Sequence, residues 1–396
     1  PYQASSPTVP ISMRTTDYGL DRYGITSALK FNLGNHDIEI GIWGEDANTN
    51  QERNYFTLSG QYTGLYTVYN DQDPFLRAFL QHYETKTRMG YAEDTVHLLD
   101  DQLTINFGAK SLRVTTDATS LVPTTAFAQG QMRAKKGFLP QAGIDYKLDA
   151  NQDIYASYAK NISAYGITPF STSQAAFDEA KSRLKPEESQ TWQTGYRAHG
   201  ETFEASLGVF YTRFENRLLA TTPCPAVVTC AASLNNVGDV KSRGADVAFL
   251  WKPVQGLSWL NSFSYNNSKY QDDYQNSGTV HTAGKYVVGV PKTMFSSTVS
   301  YEIAGWRANM EGKYTGRRYI TYTDDSSVPS YWVVDAGLAY DFGNLSVLKE
   351  MSIGFNVTNL FDKRYFASTG TNGYVASDPD GYNQTLMAGA PRQYFV

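Results

Sequence analysis

No stretch of this chain approaches the run of about 18 apolar residues that a membrane-crossing helix needs. The most apolar segments, "VVGV" and "SYWVV", are far too short, and the mean hydropathy is -0.42. Basic blocks are missing too: the net charge is -5 and the sequence pI ≈ 5.6, with no Lys/Arg stripe, which argues against a nucleic-acid partner. Histidine is scarce, five residues scattered at 36, 82, 97, 199 and 281. A hydroxyl nucleophile needs a base within reach. No Ser-His-Asp or paired-carboxylate spacing can be built here, so no enzyme, catalytic residue, resident metal or cofactor is expected. The Asp-rich "DPDGYN" keeps only a fragment of a calcium-loop pattern and lacks its distal Glu, so it reads as a surface turn. Only two cysteines occur, Cys224 and Cys230 in "PCPAVVTCAAS". A close pair in a Pro/Ala/Thr-rich loop points to a small disulfide loop in an oxidising compartment; a two-cysteine metal site is the other reading, and no His lies nearby.

Against that sparse background stand 29 Tyr, 20 Phe and 6 Trp. So heavy an aromatic load on so hydrophilic a chain suits a membrane β-barrel, whose aromatics gather in girdles at both interfaces. At 396 residues a soluble chain would be expected to hold about two or three domains, a rule that large closed barrels break.

Period-two alternation dominates the pattern. In "GWRANMEGKY", Trp306, Ala308, Met310, Gly312 and Tyr314 share one face and Arg307, Asn309, Glu311 and Lys313 the other. "FLPQAGIDYKL" and "YWVVDAGLAYDF" alternate in the same way. Trp332 and Phe342 lie ten residues apart on one face, about 33 Å of extended strand; tilted by about 40°, that spans roughly 25 Å, the height of an apolar band between girdles.

The connections sharpen the reading. Seven tight turns are expected at Gly34 and Asn35, Asp100 and Asp101, residues 149–152, His199 and Gly200, residues 253–256, Ala304 and Gly305, and Gly343 and Asn344 with a short extension. They alternate with seven longer polar connections near 46–78, 117–137, 163–188, 217–236, 270–290, 317–330 and 367–389. Barrels of the outer membrane keep short turns on the periplasmic side and long loops outside. The expectation is therefore an all-β transmembrane antiparallel barrel in the outer membrane of a Gram-negative bacterium. About fifteen strands are expected, starting near 22, 37, 79, 103, 137, 153, 188, 202, 237, 257, 292, 305, 331, 350 and 390. The first and last run in the same direction, whereas bacterial single-chain barrels close on an even number. With Pro1 in place of a Met and no signal sequence, residues 1–396 are expected to be part of one barrel domain.

"NVTNLFDKRYF" (356–366) and "GAPRQYFV" (389–396) together resemble the C-terminal signature of TonB-dependent outer-membrane receptors of the siderophore type. In that family the penultimate strand runs into Asn-Leu-Phe-Asp-x-x-Tyr and the last opens with Gly-x-Pro-Arg. "NNVGDVKSRGADVAF" (235–249) and "LKPEESQTWQTGYR" (184–197) resemble further family stretches in the family's order. The resemblance implies a 22-stranded barrel, of which these strands correspond to the last fifteen, with a plug and energy-coupling box not present in this segment. The chain stops a few residues short of where the family usually shows its terminal aromatic. The resemblance further implies energised import of a ferric siderophore or similar chelate. TonB and outer-membrane lipid and lipopolysaccharide are the implied partners, and iron arrives only within the ligand. A passive porin, or a receptor for cobalamin, haem or an oligosaccharide, is the alternative.

Within the motif, Asn356, Asn359, Phe361, Asp362 and Tyr365 are expected to be structural, Asn and Asp bonding local backbone and the two aromatics joining the outer girdle. Pro391, followed by Arg392, is expected to mark the start of the last strand. Ligand contacts are expected in long loops carrying Arg beside Tyr, because Arg forks onto oxyanions and Tyr supplies flat amphipathic surface. The candidates are Arg317, Arg318, Tyr319 and Tyr322 in "TGRRYITYTDDS"; Tyr374 and Tyr382 in "TNGYVASDPDGYNQ"; and Tyr62, Tyr66 and Tyr69 in "LSGQYTGLYTVYN". Read blandly, these are rim aromatics and charges facing lipopolysaccharide.

Overall fold

The structure, a computed structural model, describes residues 12–59, 68–69, 74–124, 127–221, 233–275, 278–345, 348–370 and 373–396. Alternating residues with β-branched and aromatic side chains build one continuous antiparallel sheet. Its strands are β1 (Ser12–Leu33), β2 (His36–Ser59), β3 (Leu76–Leu98), β4 (Leu103–Ser120) and β5 (Gly130–Asp149). They continue with β6 (Gln152–Ser163), β7 (Glu187–His199), β8 (Phe203–Glu215), β9 (Val240–Trp251) and β10 (Leu257–Tyr270). The last five are β11 (Thr293–Ile303), β12 (Trp306–Thr315), β13 (Tyr331–Leu345), β14 (Leu348–Thr358) and β15 (Gln393–Phe395). Each pairs with its neighbours in this series, from β1 at one edge to β15 at the other, and the end of β2 also pairs with the two-residue strand Val68–Tyr69. Among the described residues no helix is long and apolar enough to cross a membrane.

The register sorts side chains onto two faces. Outward, Val247 lies opposite Phe263, Trp251 opposite Trp259, Met310 opposite Ala336, and Leu338 opposite Phe355. These large apolar residues remain exposed, Leu338 at 48% and Phe263 at 42%, as a lipid-facing wall requires and a water-facing one forbids. Aromatic contacts rim this wall at both ends. Tyr158, Trp192 and Tyr211 form one chain at 5.2 and 5.6 Å on the loop side; Trp306, Tyr340 and Phe342 form another at 4.7 Å per contact on the turn side.

Tight turns stand where expected at one end. Gly34 and Asn35 join β1 to β2, and Ala304 and Gly305 join β11 to β12 with positive φ at both residues, as a primed hairpin turn demands. Of the turn expected at Gly343 and Asn344 with a short extension, both named residues stay within β13, whose register shifts there, and the connection to β14 falls outside the described residues. Two strands begin well before their expected starts, β1 at Ser12 and β5 at Gly130. Apolar alternation marks only the lipid-facing part of a strand, and the ladder continues past it into polar sequence. β2, at 24 residues, reaches about 80 Å, far beyond a 25 Å belt.

The long connections are more ordered than their polarity suggested. Residues 163–188 hold a 3-10 turn (Thr168–Phe170) and a helix, α1 (Gln174–Arg183), whose Ser173 hydroxyl accepts from the Ala176 N–H. Short hairpins pair Leu218–Thr221 with Ser233–Asn236, Arg318–Tyr319 with Ser327–Val328, and Phe366–Thr369 with Leu386–Ala388. Cys224 and Cys230 lie outside the described residues.

Two measurements on the full-length protein check this arrangement. Leu338→Arg on the lipid face is expected to lower folding stability in bilayers by about 2–4 kcal/mol, and Asn309→Arg on the opposite face by about 0.5 kcal/mol or less; denaturant titration compares them. Ala304→Asn relieves a left-handed alanine and is expected to add about 0.5–1 kcal/mol in the same assay.

Candidate functional site

The face opposite the apolar wall is polar and internally paired. Arg22 meets Glu45 at 2.7 Å, Lys30 meets Glu39 at 2.9 Å, and Glu39 also accepts from the Tyr91 hydroxyl at 2.6 Å. Arg197 bridges Asp153 at 2.7 Å and Asp145, with its guanidinium over Tyr155. Such pairs belong to a wet lumen, where charges keep their hydration.

At the long-loop end, inward residues seat the connections. Tyr83, Ala118, Met132 and Ala134 bury Phe170 and Phe177, so α1 rests on the lumen side of β3, β4 and β5. Farther round, Val240 and Tyr270 pack with Val237, Tyr274, Val287 and Val288 around Tyr322. Tyr322 contacts Tyr270 at 6.0 Å, Tyr274 at 5.4 Å and Tyr374 at 6.3 Å. Burial pushes the Tyr322 phenol well above its ordinary range, and its hydroxyl finds no hydrogen-bond partner among the described residues.

Two of the three candidate ligand loops fuse into one body here. The Tyr322 N–H reaches the Val375 carbonyl at 3.3 Å and the Thr323 N–H the Ala376 carbonyl at 3.1 Å. Asp325 is the clasp: it accepts from the Thr321 and Thr323 hydroxyls, the Ser377 hydroxyl and, at 3.1 Å, the Asp378 N–H. Burial opposes ionisation of Asp325, but these donors outweigh it and hold its carboxyl below the usual range. Asp324 next to it is lifted by burial, partly offset by the Tyr286 N–H. Asp378 accepts from the N–H groups of Tyr382 and Asn383 at 3.0 and 2.9 Å, the turn role expected of it. Among the described residues no group of His, Cys, Asp and Glu could hold a metal ion.

A family model described as "TonB dependent receptor-like, beta-barrel" matches residues 2–360. The chain belongs to that family. The ferrioxamine receptor of Yersinia enterocolitica is 25% identical over 374 residues, 90% of this chain and 49% of that receptor. The ferrioxamine B receptor of Salmonella typhimurium is 22% identical over 348 residues, 86% of this chain and 45% of that protein. Among solved structures, the siderophore receptor PiuA from Acinetobacter baumannii superposes with a TM-score of 0.68 at 18% identity, covering 96% of this chain and 55% of that one. The chain thus spans about half the length of the curated relatives it matches, and the fold is that of a TonB-dependent receptor barrel of the outer membrane.

The candidate residues of this receptor barrel separate into distinct environments. Arg317 is exposed, Tyr382 is 81% exposed, and Tyr374 is half-buried at the edge of the tyrosine cluster. Arg318 is buried: its guanidinium donates to the Phe366 and Ala367 carbonyls at 2.5 and 3.2 Å and lies over Tyr331, so it ties two loops together and is not presented to a ligand. Tyr319 stacks on Tyr286 at 5.5 Å, and Tyr286 carries Lys269 and Lys292 over its ring. The hydrogen bond from Lys292 draws the Tyr286 phenol below its ordinary range. Tyr62 and Tyr66 lie outside the described residues; Tyr69 pairs by its backbone with Leu58. Reading the sequence missed Tyr270 at the end of β10, Tyr274 in "YQDDYQ" and Tyr286 in "GKYVVG", none of which has an Arg beside it.

In the C-terminal motif, Asn359 adopts φ 50° and is buried, donating to the Lys363 and Ala390 carbonyls at 2.9 Å each and accepting from the Lys363 N–H. Asp362 accepts from the Arg392 N–H at 3.0 Å, while the Arg392 side chain reaches the Leu360 carbonyl at 3.3 Å. Asn356 lies against Gly337, Phe361 is 70% exposed, and Pro391 stands two residues before β15. Tyr365 does not join the outer girdle as expected. It packs at 4.4 Å on Tyr331, the neighbour of outward Trp332, over Gly389, where a Cβ would fall inside the ring.

The folded-state pKa of Asp325 lies below the unfolded carboxylate value of about 3.9. Its contribution is therefore complete at neutral pH and lost as pH falls through the folded value. Asp325→Ala in the full-length protein is expected to raise hydrogen exchange roughly 10-fold at pH 7 in both 318–328 and 374–383; a rise confined to one segment would contradict the clasp.

Proposed function

We propose that the full-length receptor binds a ferric siderophore or similar metal chelate at this mouth and imports it through the lumen, energised by the inner-membrane TonB complex. The observation that carries the reading is the fused pair of loops over a tyrosine floor on the lumen side. The floor holds a buried Tyr322 hydroxyl without a partner among the described residues, Tyr374 packs at its edge, and the same two loops carry exposed Tyr382 and Arg317. A buried donor without a partner is uncommon and marks a place where water or a ligand group completes the site. Flat tyrosine faces with one exposed guanidinium suit a large chelate presenting aromatic or oxyanion groups. The names of two relatives, both ferrioxamine receptors, support placing a ferrioxamine first among the candidates.

The test is radio-iron uptake in cells with and without the full-length gene, offered a panel of ferric siderophores with and without a protonophore. Gene-dependent uptake of one chelate that stops with the proton gradient is expected. Tyr374→Ala is expected to raise the half-saturating concentration about 10-fold or more. Uptake of many small solutes regardless of protonophore would mark a passive porin, and energised uptake of a non-iron solute would change the ligand.

A further inference from the structure

Import through the lumen asks nothing of the hydrocarbon-facing residues beyond their being apolar, and one of them is not. Asn261 alternates with Trp259 and Phe263 on β10, so its amide points outward. It stands five residues from the turn glycine Gly256. That is about 16 Å of strand and roughly 13 Å of height, the middle of the apolar belt. The register surrounds it with apolar side chains: Phe249 lies directly opposite on β9, and Val247, Trp251, Phe295 and Val299 lie diagonal to it. Lipid tails offer an amide neither donor nor acceptor, so this position is costly unless a protein group meets it.

Its own barrel does not meet it. Among the described residues the Asn261 side chain has no hydrogen-bond partner. Ser297, directly opposite on β11, already accepts from the Trp259 indole at 2.8 Å. Other outward polar groups at belt depth are answered within the wall. Asp94, in register with Ile38 and Phe107, is met by His36 at 2.7 Å. The Thr194 hydroxyl folds back onto the Tyr155 carbonyl at 2.8 Å. Asn261 is also open to approach, because the row continues into the short side chains Ser297 and Gly312 on β11 and β12. On its other side the larger Phe249 stands proud, 39% exposed.

We propose that Asn261 is the centre of a contact between two copies of the receptor in the plane of the membrane, its amide pairing with the second copy's Asn261. A primary amide carries donor and acceptor side by side, so it is its own complement across a two-fold axis. Two N–H···O bonds then form where each copy alone has none. Both copies share one orientation in the bilayer, so the axis runs along the membrane normal and sets β9 of one against β11 of the other. The large Val247 and Phe249 of each copy thereby face the strand that carries the short Ser297. A lipid holds its polar groups at the interfaces, roughly 13 Å away, whereas a second copy brings the same amide to the same depth. Polar side chains beside small neighbours join membrane helices in this way, for the same reason.

The experiment has two arms on the full-length receptor. In the first, single cysteines are placed at belt depth in a protein lacking Cys224 and Cys230, and native outer membranes are treated with a mild oxidant. Asn261→Cys, on the axis, is expected to give a disulfide-linked dimer, the oxidant trapping the contact that remains without the amide. Ser297→Cys, one strand off the axis, and Ile144→Cys, at the same depth elsewhere on the wall, are expected to give about 10-fold less, their sulfurs being held too far apart. In the second arm, Asn261→Leu is expected to weaken the dimer about 10-fold, read by native mass spectrometry over a concentration series in neutral detergent. Heat-modifiable gel migration confirms that each variant is folded. Equal cross-linking at 144 and 261 would mark random collision and overturn the proposal. So would an unaltered receptor that stays monomeric at every concentration, or a folded Asn261→Leu receptor that dimerises as well as its parent. Capture of a different protein by Asn261→Cys in place of a second copy would overturn it in favour of a heterologous partner.

Discussion

Hydrocarbon accepts no unpaired peptide group, and that constraint governs the rest of this structure. At membrane depth every N–H and C=O has to enter the ladder, and neighbour-to-neighbour antiparallel pairing meets the requirement for the strands between the two edges of the sheet. Once the ladder is continuous, the faces are no longer independent choices. A slip of one residue in β5, β6 or β7 would carry Asp145, Asp153 or Arg197 respectively from the lumen side to the lipid side, along with every other inward side chain of that strand. Asp153 and Arg197 stand within two residues of the turn-side strand ends, where such a charge costs only about 0–1 kcal/mol, so the register is held by the sum over all the side chains that a slip would exchange. The apolar wall and the paired lumen charges therefore specify the same register from opposite sides.

Beyond the belt water relaxes the constraint, and the chain uses its freedom in two ways. β1 to β5 simply continue pairing well past the apolar band, while later connections turn back as small hairpins onto the lumen side. Those hairpins are joined by polar groups that would be intolerable at membrane depth: the Arg318 guanidinium on two carbonyls, the Asp325 carboxylate among four donors, the Asn359 amide across the last motif. The buried tyrosines beneath them give the mouth a fixed floor.

The lipid-facing strands were plain in the sequence because lipid and water impose opposite demands on alternate residues, and "GWRANMEGKY" shows both at once. Turn positions such as Gly34 and Ala304 with Gly305 were equally plain, since few residues tolerate positive φ. What lay above the belt was not. α1, "QAAFDEAKSR", has one buried apolar anchor, Phe177, and so carries no helical stripe to read. Arg318 looked like a ligand group because its partners are backbone carbonyls of a distant loop, which no local pattern announces. Tyr365 looked like a girdle residue until its contact with Tyr331 placed it on the other side of the wall. Local periodicity reports the solvent on each face, whereas loop docking depends on contacts about 50 residues apart in sequence.

Lipid-quenching along one strand decides between this arrangement and any water-exposed sheet. Single cysteines placed at 306 to 315 in a full-length protein lacking Cys224 and Cys230, labelled with a fluorophore in bilayers containing brominated lipid, should be quenched at 306, 308, 310, 312 and 314 and spared at the positions between. Quenching without period two, or strongest at Arg307, Asn309 and Glu311, would contradict a lipid-facing wall built from Trp306, Met310 and Tyr314.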